Sequence, residues 1–167
     1  AQEYLKCAKD PAYFMRKYCY IQHPTRGRIL FNLYPFQDKI LHLFKDNQYN
    51  IVLKSRQLGI STLSAAYSLW LMVFHKDKNV LALATTQATA RNLVTKVIFM
   101  YDQLPKWLRL PSVEKNKLSL RLKNGSRIAA KSSNADAARS EAVSLLLIDE
   151  AAFIDNIDET FTAAQQT

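Results

Sequence analysis

Two short stretches hold the residues whose types and spacing suit chemistry. The first is residues 51–62, IVLKSRQLGIST. Its apolar run, Ile51-Val52-Leu53, predicts a buried strand, a polar turn follows, and Ser61 onward predicts a helix. Strand, short loop and helix make an anion site, because loop N–H groups and the helix N-terminus converge on one point. Set against the pattern GxxxxGK[ST], the residues run Lys54-Ser55-Arg56-Gln57-Leu58-Gly59-Ile60-Ser61. Gly59 and Ser61 fit, whereas Lys54 stands where the first Gly is usual and Ile60 where the Lys is usual. Taken alone, this is a failed match, and a strand–turn–helix with no ligand would explain it.

The second stretch is residues 144–150, SLLLIDE. Its run of consecutive apolar residues predicts a central parallel strand covered on both faces. Asp149 and Glu150 then fall at the carboxyl end, where open α/β sheets bind ligands. An Asp at that place holds Mg²⁺, directly or through water, and the adjacent Glu polarises an attacking water. An acidic pair after a hydrophobic run is a weak signal by itself. Both stretches together, in this order, predict a nucleotide site with Mg²⁺, and the resemblance described below makes the nucleotide ATP. Backbone N–H groups from about Arg56 to Ser61 would cradle phosphate oxygens. Ser61 and Asp149 would hold the metal, and Glu150 would orient and deprotonate water. Thr62 is the alternative metal hydroxyl, with register favouring Ser61.

The residues KSRQLGIST, LYPFQ at 33–37, ATTQATA at 84–90 and the run from Asn124 to Phe153 carry a more specific likeness. With them the chain resembles the ATPase domain of the large terminase of tailed bacteriophages, nearest the T-even type. The likeness spans nearly the whole chain, including DPAYFMRKY near the start. It implies an ASCE-type P-loop NTPase of α/β class, with a mainly parallel central sheet flanked by helices and a β-hairpin insertion. It also implies a deviant Walker A in which Lys54 replaces the lysine missing at Ile60. Gln37 becomes an adenine-binding residue with Tyr34 beside it, although from pattern alone a Pro-started helix with an exposed Gln is the better reading. Arg56 would sense the γ-phosphate, and Arg139 would be an arginine finger reaching a neighbouring subunit. The activity implied is ATP-driven packaging of double-stranded DNA. The partners implied are a portal protein, a small terminase subunit and further copies of the chain in a ring. The setting implied is the host cytoplasm. The family's coupling motif and nuclease domain are not in this sequence, so DNA cutting is not expected of these residues. Two rival classes share parts of the pattern. A related nucleic-acid helicase normally keeps the Lys that is Ile60 here, and a non-hydrolysing assembly module would treat Ile60 as the mark of a dead site.

Composition sets the bounds. At 167 residues and 49% hydrophobic, the chain suits one globular, core-bearing domain. A net charge of +9 favours polyanionic partners, although Lys and Arg are spread along the sequence. Cys7 and Cys19 form no CxxC, so neither a metal site nor a disulfide framework is indicated, and they read as reduced thiols of an intracellular protein. No apolar run is long enough to span a membrane, and no signal peptide is present. A start at Ala1 and an end at Thr167 in polar sequence read as a fragment.

The remaining elements position these stretches. Asp10-Pro11 predicts a capped helix whose aromatic face, Tyr13, Phe14, Tyr18 and Ile21, packs on the core, with Pro24 ending it. Ile29-Leu30-Phe31 predicts a short strand. Pro35 opens a helix with Phe36, Ile40, Leu41, Leu43 and Phe44 at helical spacing. Leu63, Ala66, Leu69, Trp70 and Val73 line a buried helix face. Residues 79–84 predict a strand and Gln87 to Asp102 a helix, with Thr85 and Thr86 read as capping residues. Leu118, Leu120 and Leu122 alternate toward Asn124-Gly125, the sequence of a tight hairpin with Ile128 and Ala130 on the return strand.

Overall fold

The computed structural model describes residues 1–132 and 142–165, the side chains of 163–165 excepted. Two short N-terminal helices, α1 (Gln2–Lys9) and α2 (Pro11–Tyr18), lead into a two-stranded antiparallel hairpin, β1 (Tyr20–His23) and β2 (Gly27–Leu30). Helix α3 (Pro35–Asp46) and the buried helix α4 (Ile60–Phe74) follow. Then come β3 (Asn79–Ala84), α5 (Gln87–Gln103), β4 (Ser112–Lys115), β5 (Ser119–Leu122), β6 (Arg127–Ser132), β7 (Leu145–Ile148), a 3₁₀ turn at Ala151–Phe153 and α6 (Ile157–Gln165). Among the described residues, five strands form one sheet in the order β4-β5-β6-β3-β7.

Strand β3 is the axis of the sheet. It pairs in parallel with β6 on one side and β7 on the other. Val80, Ala82 and Ala84 point to the main core, and Leu81 and Leu83 point to a second, smaller cluster with Leu146 and Ile148. A strand buried on both faces must be apolar at every position, which explains NVLALA. Helix α4 is apolar nearly all round, the composition of a helix enclosed by other elements. Leu63, Leu69 and Met72 are fully buried on it, and each such side chain contributes roughly 1.5–3 kcal/mol by leaving water. Trp70 is buried too, and its Nε1 donates to the carbonyl of Cys7 at 2.9 Å, tying α1 to the core.

Local signals account for several ends. Asp10 caps α2 by accepting the N–H groups of Ala12 and Tyr13. Thr86 caps α5 by accepting the N–H of Thr89 at 3.1 Å, the capping role read from sequence. Gly125, at φ +86°, turns the hairpin, and Leu120 pairs with Ile128. Cys7 and Cys19 are free and buried. Burial pushes the Cys7 thiol up to about 11 and that of Cys19 higher still.

The fold corrects four expectations. Ile51-Val52-Leu53 is not a strand: it pairs with no described strand, and Ile51 and Leu53 are fully exposed. A strand exists only where a neighbour takes up its N–H and C=O groups, and apolar composition cannot supply that neighbour. Among the described residues, strand β7 lies at the edge of the sheet and not at its centre, because β3 is the one described strand bonded to it. The hairpin is no insertion, since β6 joins β5 antiparallel and β3 in parallel, and β4 adds a third strand. The sheet is therefore mixed. Helix α2 stops at Tyr18, and Ile21 lies on β1 opposite Ile29. Tyr20 and Ile21 suit a pleated strand as well as a helix face, and pairing decided between them.

The N-terminal helices are locked by one carboxylate. Glu3 Oε1 accepts from Tyr13 Oη at 2.8 Å, Tyr18 Oη at 2.7 Å and Lys17 Nζ at 2.8 Å. The Lys17 bond first, then the two phenols, hold the Glu3 carboxyl down to about 2. Because the folded carboxyl ionises at lower pH than the free one, its contribution is complete above about 4.5 and is lost as pH falls toward about 2. Glu3→Gln should flatten the acid side of the stability profile across that window and leave the neutral-to-alkaline side parallel to wild type, measured by denaturant unfolding at each pH.

Candidate nucleotide-binding site

The chain leaves α3, passes through residues 51–55 without regular secondary structure, and turns into α4. The reversal uses two left-handed residues, Gln57 at φ 64° and Gly59 at φ +70°. Gly59 occupies the N-cap of α4 and offers no side chain to cap it. The first-turn N–H groups of a helix have no intrahelical acceptor, so this end is open to an anion. The loop carries that end toward the finish of β7. Asp149 continues the parallel ladder by donating its N–H to the Leu83 carbonyl at 3.0 Å.

Residues distant in sequence meet there. Ser61 Oγ donates to Asp149 Oδ2 at 2.6 Å. Lys54 Nζ lies 3.9 Å from Asp149 Oδ1, with the two side chains 31% and 19% exposed. A hydroxyl, a carboxylate and an ammonium thus share one half-open corner. The oxygens of Ser61 and Asp149 are hard donors of the kind Mg²⁺ takes, in the small number it uses when substrate and water fill the other positions, so they fit that ion. Glu150 is exposed beyond Asp149, in the left-handed region at φ 56°, and its N–H donates to Asp149 Oδ1 at 3.0 Å. For a side chain without the tolerance of Asn or Gly that conformation is costly, and it turns Glu150 away from the line of the strand.

The other candidates fall into three groups. Ser55, Arg56, Gln57 and Leu58 form the exposed outer rim of the loop, and Arg56 makes no ion pair among the described residues. Ile60 is buried at the first position of α4, and Thr62 lies one residue past Ser61 and away from the recorded Asp149 contact. Gln37 is only 2% exposed, and its amide is engaged by protein: Oε1 accepts the Tyr34 N–H at 3.0 Å and Nε2 donates to the Leu58 carbonyl at 2.9 Å. Arg139, with Asp136 and Glu141, lies outside the described residues.

One neighbour was missed. Phe36, assigned from spacing to a helix core face, is exposed and stacks on Tyr34 with ring planes 7° apart and centroids at 5.7 Å. The signal was the pair of aromatics flanking Pro35 at the helix start.

The sequence model of the terminase large subunit, T4likevirus-type, N-terminal region matches residues 51–166. The chain belongs to this family. Among solved structures, the large terminase of bacteriophage HK97 superposes with a TM-score of 0.73 over 96% of the chain at 20% identity. At that identity the likeness carries the fold alone, a mixed sheet with flanking helices. The chain spans 35% of the HK97 protein. Among the described residues of this terminase chain, no helix is long and apolar enough to cross a membrane.

The loop geometry makes a stability prediction. Ala at position 59 would have to hold a left-handed backbone, costing roughly 1–2 kcal/mol. Its Cβ would also stand 2.8 Å from Gln37 Nε2. Gly59→Ala should lower the thermal midpoint, read by circular dichroism, whereas Ser55→Ala on the exposed rim should leave it unchanged.

Proposed function

We propose that this chain is the ATP-hydrolysing part of a DNA-packaging terminase. The observation that carries the reading is the meeting of Lys54, Ser61 and Asp149 at the open N-terminus of α4. Phosphoryl transfer needs little covalent help from protein. It needs the phosphates held, their charge offset and the water aligned. When bound, Mg²⁺ would neutralise charge across the phosphate oxygens, and Ser61 and Asp149 are the residues that would hold it. The first-turn N–H groups of α4, from Ile60 to Thr62, bind phosphate oxygens through the positive end of the helix. Lys54 supplies the cation that Ile60 does not. Its ammonium reaches the Asp149 carboxylate from the start of the loop, the distance a lysine displaced to that position must cover. Glu150 takes the proton of the attacking water, and the role of Arg56 toward the γ-phosphate rests on sequence resemblance. The exposed Tyr34–Phe36 pair offers a stacking surface for the base. The role of Arg139 toward a neighbouring copy rests on sequence resemblance alone.

Removing the charge of Glu150 while keeping its shape is the direct test. Glu150→Gln should still bind ATP, and its turnover should fall by roughly 10²–10⁴. Lys54→Ala should remain folded and hydrolyse nothing. Wild-type turnover in a folded Lys54→Ala chain would remove the displaced-lysine reading, and near-normal turnover in Glu150→Gln would reassign that residue to a structural role.

Double-stranded DNA is the partner that the charge distribution favours. Lys106, Arg109, Lys115, Lys117, Arg121 and Lys123 are all exposed around β4 and β5, and Glu114 is the single acid between positions 105 and 123. Lys115 is held by Asp102 at 2.9 Å, while Lys106, Lys117, Arg121 and Lys123 pair with no carboxylate among the described residues. Each cation that meets a phosphate releases condensed counterions. Lys117→Ala and Lys123→Ala should each weaken DNA binding alike on all sequences. Each should also reduce the slope of log K against log salt by about 1, measured by fluorescence anisotropy across a salt series.

A further inference from the structure

Gln37 makes a connection that neither the loop nor the base surface makes for itself. It is the third residue of α3, and its carbonyl oxygen closes back on the N-terminal N–H at Tyr34, an ordinary helix-capping contact. The other half of the same amide points elsewhere. Nε2 donates to the carbonyl of Leu58, twenty-one residues downstream, in the turn that precedes α4. A donor is needed at one end and an acceptor at the other, so the amide has one workable orientation. The contact is also close-packed, because Nε2 occupies the space that a Cβ on Gly59 would enter. The only glycine in the loop therefore sits directly against this amide.

We infer that Gln37 is a positioning residue for the phosphate-binding turn, joining the start of α3 to the Leu58 carbonyl so that the Tyr34–Phe36 surface and the 54–61 loop are held as one piece. The inference rests on the nucleotide reading above and gives Gln37 a task other than reading the edge of adenine. The physical reason is the weakness of the loop without it. Residues 51–55 pair with no described strand, the rim from Lys54 to Leu58 is exposed, and Gln57 holds a left-handed backbone. Such a segment opens easily unless a buried group fixes it. The amide of Gln37 is that buried group, and it fixes the carbonyl one residue before the N-cap. Ordering the turn in advance removes part of the entropy cost of binding phosphate there.

Two variants separate this role from base recognition and from helix capping. Gln37→Glu keeps the acceptor for the Tyr34 N–H and replaces the donor to Leu58 with an oxygen. Gln37→Met keeps the volume, removes both polar arms and adds no charge. Calorimetry would measure binding of ATP, GTP and inorganic tripolyphosphate, each with Mg²⁺, to wild type and to both variants. Amide hydrogen exchange would be followed on the unliganded chains. The expected result is a loss of about tenfold for all three ligands in both variants, with the ATP-to-GTP ratio unchanged. Exchange should quicken across 55–61 and stay unchanged in β3. Undiminished tripolyphosphate binding in Gln37→Met would overturn the inference, and a loss confined to ATP would return Gln37 to base recognition. Faster exchange in β3 as well as the loop would also overturn it, since that marks general loosening of the core. If wild type binds none of the three ligands, the nucleotide reading itself fails. If wild type binds them and the variants bind equally well, only the positioning role fails.

Discussion

The hydrogen bond from Ser61 to Asp149 spans 88 residues and brings together the hydroxyl and the carboxylate of the candidate site. It joins the first turn of a buried helix to the end of a strand. The helix is set by its all-round apolar surface, which leaves it one place in the core. The strand is set by its parallel register with β3, in which Leu83 lies opposite Ile148 and its carbonyl takes the Asp149 N–H. Two rigid elements, each placed by packing, therefore present a hydroxyl and a carboxylate to each other. A site built in this way keeps its geometry while the loop beside it changes shape, which is what a site that must close on a ligand and release it requires.

Around that fixed corner the structure is uneven. The core under α4, α5 and β3 is closely filled, while Ile51 and Leu53 lie exposed with apolar side chains in water. Among the described residues, strand β7 is the edge of the sheet beside the same corner. The cost of that exposure falls on the loop that carries Lys54, and it explains why a single buried amide, that of Gln37, has so much to hold. The interior is organised to put polar groups at one end of the sheet. The rim is organised by a few specific bonds.

Charge follows the same division. Lys and Arg are scattered in the sequence, yet six of them lie exposed around β4 and β5, with Glu114 and Asp102 the acids beside them. The strands there alternate buried leucines with outward cations, so the pairing that buries Leu120 and Leu122 also turns Arg121 and Lys123 to solvent. A polyanion meeting this surface would approach the protein away from the α4 corner, through a different set of residues from those that suit nucleotide.

Part of the candidate site was legible in the sequence, for a local reason. The break in apolar pattern at Lys54, the glycine before Ile60 and the acidic pair after Ile148 are signals confined to a few neighbouring residues, and they single out Lys54, Ser61 and Asp149, which the fold brings together, with Glu150 exposed beside them. Helix α4, strand β3, the cap at Thr86 and the Asn124-Gly125 hairpin were legible for the same reason, since periodicity, capping and turn chemistry act over one or two turns of chain. Pairing was not legible, because a hydrogen-bond ladder belongs to two segments at once. For that reason Ile51-Val52-Leu53 carried the composition of a strand and formed none, β7 came out at the sheet edge, and the hairpin joined the main sheet through β6. The direction of the Gln37 amide was decided last of all. Sequence supplied an amide one turn from Tyr34, and only the arrival of Leu58 and Gly59 beside it, with no room for a Cβ, turned that amide inward.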